Sequence, residues 1–300
     1  MSPLIRNLLI GLGAVVVLLL IAATSVYVAG GRLLTASMSV PAESIEVPTD
    51  TASLRRGAHL AQIWGCRDCH GADLGGTLMI DGMPFARLSA PNLTAGAGGV
   101  GASFTPADYE RAIRHGVGGD GRTLLIMPSL EYNGATDADV GALIGYVRSV
   151  PPVDRTGGIR ELGPIGRMVG LVSKEELFPA FAIDHDAGHR AEITIGVTAE
   201  YGAYLANACI GCHGADLGGK PAVPGSALPA ANLTPDSATG LGSWSQDDFV
   251  RVFRDGLRPD GTPVDSAMPW FAMTTMTDDE LGAVWTYLRT LEPINRPRER

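Results

Sequence analysis

The chain has 300 residues, enough for about two domains at roughly 100–200 residues each. With 39 Gly, 20 Pro and only 18% charged residues, it is neither a disordered segment nor a long helical bundle, and compact, loop-rich domains fit it better. A formal net charge of −9 without any Lys/Arg stripe excludes nucleic acid as a partner and favours proteins with basic patches.

No charged residue lies between Arg6 and Arg32. The apolar stretch LLIGLGAVVVLLLIAATSVYVAGG within it exceeds the roughly 20 residues that cross a bilayer, so residues 1–32 are expected to form a transmembrane anchor. A cleaved export signal competes with this reading, but such signals have apolar regions of about 7–15 residues, and no clear A-x-A site follows. Arg6 on one flank faces Arg32, Arg55 and Arg56 on the other, so flanking charge does not orient the span. Residues 33–49, with Ser, Thr and two prolines, read as a tether.

From there the chain repeats itself, which predicts two units at 50–153 and 194–300. RGAHLAQIWGC (56–66) matches YGAYLANAC (201–209) with two residues inserted before Cys66. The phrases CRDCHGADLGG and CIGCHGADLGG follow, then SAPNLT and PAANLT, and then FTPADYERAIRHGVGGDGR and WSQDDFVRVFRDGLRPDGT. MPSL pairs with MPWF, and TDADVGALIGYVRSV with TDDELGAVWTYLRTL.

Each unit carries the same helix signals. Thr136 and Thr277 are N-cap candidates with an acid three residues on. Behind them Val140, Leu143, Ile144 and Val147, and Leu281, Val284, Trp285 and Leu288, recur at helical spacing. Middle helices are expected from Thr105-Pro106 and Ser245 to Gly116 and Gly256, burying Tyr109, Ala112 and Ile113, or Phe249, Val252 and Phe253. A third helix precedes each cysteine pair. No stretch alternates well enough to predict a strand. Residues 154–193 have no counterpart and read as a linker, with a short helix expected in KEELFPAF.

All four cysteines lie in the repeated phrase: Cys66, Cys69, Cys209 and Cys212, each pair followed by His70 or His213. C-x-x-C-H is the attachment signal of a c-type haem, in which two thiols one helical turn apart bond the vinyl groups and the next His ligates iron. A dithiol redox pair, or one zinc ion shared by the four cysteines, are the other chemistries such spacing admits. The sixth iron position decides between electron transfer and small-molecule chemistry. A true ligand should recur in both copies, and Met127 and Met268, each followed by Pro at matching places, do so. Met79, Met83, Met273 and Met276 lack counterparts and read as loop or core filler. His115 aligns with Asp255 and His59 with Tyr204, so neither is required as a ligand. His185 and His189, in the linker, offer a bis-His alternative. Trp270 reads as a packed aromatic or a residue near a haem edge. Asn92 and Asn232, in N-L-T, formally match glycosylation acceptors, but their equal placement points to ordering of a loop around the haem propionates.

CRDCHG with IMPS, and CIGCHG with AMPW, resemble two class I cytochrome c domains in tandem, over about 50–153 and 194–294. The second is similar to domains of the membrane-bound multihaem cytochrome subunits of bacterial alcohol, aldehyde and related dehydrogenases. Those subunits commonly carry three such domains and a C-terminal anchor, where this chain has two and an N-terminal one. The resemblance implies an all-α fold, with three to five short helices around each of two covalently bound haems c. Two closed haems predict outer-sphere electron transfer in a respiratory or photosynthetic chain, not an enzyme. Expected partners are a membrane and a dehydrogenase, bc-type complex, oxidase, reaction centre or soluble cytochrome. A dehydrogenase cytochrome subunit is the nearest alternative. A dihaem peroxidase or a gas sensor would each need a labile Met. Because C-x-x-C-H attachment takes place outside the cytoplasm, the soluble part is expected on the periplasmic side of a bacterial inner membrane, held by a single span.

Overall fold

The computed structural model describes residues 2–41, 43–221 and 229–297. Residue 1 of the expected anchor, residue 42 of the tether, and residues 222–228 and 298–300 of the second expected unit lie outside the described residues. In chain order the helices are α1 (Pro3–Leu33), α2 (Thr51–Ile63), α3 (Cys66–His70), α4 (Pro106–His115), α5 (Ser129–Tyr132), α6 (Asp137–Ser149), α7 (Pro164–Val172), α8 (Lys174–Leu177), α9 (Ala199–His213), α10 (Gln246–Asp255) and α11 (Asp278–Leu288). Two 3₁₀ turns, Pro179–Phe181 and Trp270–Thr275, complete the described helical elements.

The caps read from sequence are present. Thr105, Ser245 and Thr277 close reciprocal capping boxes with Asp108, Asp248 and Glu280, and Thr136 Oγ1 accepts from the Asp139 amide. Gly116 and Gly256 stop α4 and α10 in the left-handed region, at φ 64° and 67°. The two units differ before the cysteines. α9 runs unbroken into its C-x-x-C-H, whereas α2 stops and Gly65, at φ 71°, restarts the chain as α3. Two inserted residues would turn a continuous helix by about 200° and face the thiols away from the core. The glycine absorbs that rotation.

The all-α expectation needs correction. Strands β1 (Leu78–Gly82), β2 (Ala86–Ser89) and β3 (Arg160–Leu162) form an antiparallel sheet in that order, with Gly82 opposite Ala86 and Leu88 opposite Arg160. β1 is an edge strand open to solvent on both faces, so it shows no alternation, and β3 comes from the distant linker. The linker also supplies α7, α8 and the Pro179–Phe181 turn, which is where the KEELFPAF helix was expected.

One apolar core runs through both repeats, with Leu60, Leu143 and Ile144 of the first continuous with Tyr201, Leu205 and Leu281 of the second. Within each repeat the first and last helices approach through a glycine. A Cβ on Gly57 would sit 2.0 Å from the Ala142 carbonyl oxygen, and one on Gly202 1.9 Å from that of Ala283. Arg56 grips Asp139 of its own repeat with two bonds of 2.8 Å and reaches across to the Tyr201 hydroxyl of the second at 3.3 Å. Trp64 stacks on Tyr132 and meets Tyr204 edge-on.

Candidate haem sites

α9 carries Cys209 and Cys212 one turn apart and ends on His213. Across from them Met268 leads Pro269 into the 3₁₀ turn. All four residues line a single apolar cavity of about 710 Å³, walled by Leu205, Leu233, Phe249, Phe253 and Val284. That volume falls in the range of cofactor pockets, roughly 300–1,000 Å³. Two thiols, an imidazole and a thioether lining one apolar cavity fit a covalently bound haem c.

In the first repeat, α3 presents Cys66, Cys69 and His70, and Cys66 and Met127 border the same core. The local geometry is duplicated. His70 Nδ1 donates to the Pro91 carbonyl at 2.9 Å and His213 Nδ1 to that of Ala231 at 2.7 Å, an arrangement that places the lone pair of a neutral imidazole on Nε2. Burial holds His70 below its ordinary pKa, against the opposing effect of the Pro91 carbonyl, which keeps the imidazole neutral. Pro128 and Pro269, after the two methionines, share φ near −78° and ψ near 50°. Burial, reinforced by the neighbouring thiol, pushes Cys66 and Cys209 up to about 12, so each remains a neutral thiol in the folded chain.

Asn92 and Asn232 are buried, which rules out glycan attachment in the folded protein. Each orders its loop from inside: the side-chain oxygen accepts from the amide and hydroxyl of Thr94 or Thr234, and the amide group donates to the Val153 or Ile294 carbonyl at 2.6 Å. A pair of clamps went unseen in the sequence. Arg155 binds Asp73 and the Gly76 carbonyl, and Arg296 binds Asp216 and the Gly219 carbonyl. The signal was there, since P-V-D-R at 152–155 parallels P-I-N-R at 293–296.

The other candidates fall elsewhere. His185 meets His115 at 3.0 Å and the Ala180 carbonyl at 2.9 Å, while His189 meets Glu43, and neither lines the 710 Å³ cavity. His115, which the sequence did not require as a ligand, is buried in that cluster beside Glu110. His59 pairs with Glu280 at the seam between repeats. Trp270 packs over Gly256. Among the described residues no group of three or more His, Cys, Asp or Glu is placed to hold a metal ion.

Comparison with known proteins agrees with this geometry. Residues 199–292 match the family described as "Cytochrome c", and residues 52–147 the family described as "Cytochrome C oxidase, cbb3-type, subunit III". The chain is 29% identical over 283 residues to the cytochrome c subunit of alcohol dehydrogenase (quinone) from Gluconacetobacter polyoxogenes, covering 82% of this chain and 57% of that protein. It is 29% identical over 270 residues to the gluconate 2-dehydrogenase cytochrome c subunit of Pantoea cypripedii, covering 80% and 60%. The fructose dehydrogenase cytochrome subunit of Gluconobacter japonicus is 32% identical over 106 residues, covering 32% and 22%. The chain thus spans 57% and 60% of the length of the first two relatives. Cytochrome c domains imply covalently bound haem c, and the chain consists in large part of two such domains in tandem, resembling the cytochrome c subunits of dehydrogenases.

Proposed function

We propose that this protein is a membrane-anchored dihaem c-type cytochrome that passes electrons, as the cytochrome subunit of a dehydrogenase, towards a respiratory acceptor. The observation that carries the reading is the convergence of Cys209, Cys212, His213 and Met268 on one apolar cavity, with the same backbone turns repeated around Cys66, Cys69, His70 and Met127. In this reading the units are 50–153 and 194–300, joined by 154–193. Each pair of cysteines would hold one haem by thioether bonds, and His70 with Met127, and His213 with Met268, would ligate its iron.

Haem c, when bound, supplies a one-electron iron couple. The chain's own residues set its conditions. The Pro91 and Ala231 carbonyls fix the orientation of the two imidazoles, the apolar lining of the second site would limit water, and Met127 and Met268 would each ligate the iron and keep substrates from it. Trp64, two residues before Cys66, also lines the cavity of the second site, which supports a short path between the two haems.

α1 is long and apolar enough to span a membrane, and its midsection is open to the surroundings. We read it as the anchor (residues 1–32, with a tether to 49) of a chain whose soluble part faces the periplasm. The dehydrogenase relatives support a partner of that kind. The test is purification of the full chain from membranes in mild detergent, with haem quantified as its pyridine complex and co-purifying subunits identified. Two haems c per chain and a dehydrogenase flavin or quinone subunit are expected. One haem per chain, or an oxidase and no dehydrogenase, would replace this reading.

A further inference from the structure

Helix α7 is unusual for what it leaves exposed. Gly166 and Gly170 turn inward against Phe85, Leu162 and Phe178. Ile165, Met168 and Val172, at i, i+3 and i+7, face out with Leu171 beside them, at 39–80% exposure. Arg167 is the helix's one charged residue, and its guanidinium lies 3.8 Å from the centre of the Tyr27 ring while donating to the Tyr27 carbonyl at 3.1 Å. α7 is thereby fixed to the last turns of α1. The approach is close: a Cβ on Gly30 would lie 2.5 Å from the Arg167 carbonyl oxygen, and Leu33 packs against Gly170.

That position says what covers the apolar face. Within the uncharged stretch of α1 the large apolar residues run from Leu8 to Val28 and cover about 31 Å at 1.5 Å per residue, close to the thickness of a bilayer's hydrocarbon core. α7 meets α1 where that run ends, at the depth of headgroups, where a Tyr such as Tyr27 is at home. Met83, 58% exposed in the β1–β2 turn and in contact range of Gly163, extends the same edge.

We propose that α7, with Met83 beside it, is a second membrane contact, an interfacial helix whose Ile165, Met168, Leu171 and Val172 dip into the boundary between headgroups and acyl chains. The occupant is lipid, because the face continues sideways from the lipid-facing surface of α1. The contact holds the cytochrome body at one orientation over the bilayer instead of letting it swing on residues 33–49. This rests on reading α1 as a span.

The experiment uses the full, haem-loaded chain in vesicles of phosphatidylethanolamine and phosphatidylglycerol. Single nitroxide labels are placed through Met168→Cys and Val172→Cys, with Leu19→Cys in α1 and Val197→Cys, exposed beside α11, as references. The haem absorption spectrum checks folding. Collisions with oxygen and with a water-soluble nickel chelate are then compared. At 168 and 172, a gain in oxygen collisions and loss of chelate collisions relative to 197, as at 19, is the expected result. Labels at 168 and 172 as open to the chelate as 197, while 19 is lipid-like, overturn the α7 contact and leave the anchor standing. Labels shielded from both agents mean a protein covers the face and also overturn it. A label at 19 open to the chelate removes the anchor itself, and the α7 contact with it.

Discussion

The His59 imidazole lies 2.8 Å from Glu280 Oε2, across the seam between the two repeats. Its counterpart is the bond from the Tyr204 hydroxyl to Asp139 Oδ2, at 2.7 Å. His59 aligns with Tyr204, and Asp139 with Glu280, so one contact is made twice about a pseudo-twofold relation. The duplicated units therefore meet as the two halves of an isologous dimer do, within a single chain.

Glu280 carries much of that seam. Burial works against its charge, but the bonds from His59 and the Thr277 amide, with Arg56 nearby, outweigh it and hold its carboxyl below the ordinary glutamate pKa. A carboxyl lowered on folding stabilises the fold above its unfolded pKa, about 4.3, and loses that contribution as pH falls through the folded value. Glu280→Gln should cost about 2 kcal/mol at pH 7. Denaturant titrations repeated towards pH 3 should show wild type converging on the variant. A constant gap across that range would mean the carboxylate charge is not what joins the repeats.

Met127→Ala and Met268→Ala should each leave both haems covalently bound, remove half of the weak red-end Met–Fe(III) absorption, and lower one midpoint potential. Spectroelectrochemistry of the full chain measures all three. An unchanged red-end band in either variant would displace that methionine as a ligand.

Much of this was readable in the residues, for a physical reason. Caps and stops are local: Thr105 with Asp108, Ser245 with Asp248, and the left-handed Gly116 and Gly256 need only neighbours in sequence. The cavity residues were legible because the duplication tests each candidate twice. What stayed hidden is non-local. β3 completes its sheet from residues far along the chain, Arg155 clamps Asp73 from beyond α6, and His185 returns from the linker to meet the buried His115. No periodicity in a window of one helix or strand records such pairings.

Gly57→Ala and Gly202→Ala should each destabilise the fold by about 1–3 kcal/mol, since the added methyl meets a backbone carbonyl that cannot step aside. Thermal melts of the haem-loaded chain check this. Gly82→Ala, where nothing lies within 4 Å of the new Cβ, is the control expected to stay within about 0.5 kcal/mol.

The loop anchors and the clamps should separate. Asn92→Ala leaves buried partners unpaired and should cost about 1–3 kcal/mol. Arg155→Ala removes a pair in which both side chains are nearly half exposed, and should cost at most about 1 kcal/mol, less in high salt. Denaturant midpoints at two ionic strengths distinguish them.

Two perfect copies of one electron-transfer unit would share an electron evenly and give it no reason to leave in either direction. The inserted Trp64-Gly65 breaks that equivalence at one spot, beside the thiols and away from the methionines. One site is thus flanked by an uninterrupted helix, and the other by a bent one that lends its tryptophan to the neighbouring cavity. A two-residue insertion into a duplicated unit is thus what makes the surroundings of the two cysteine pairs unequal.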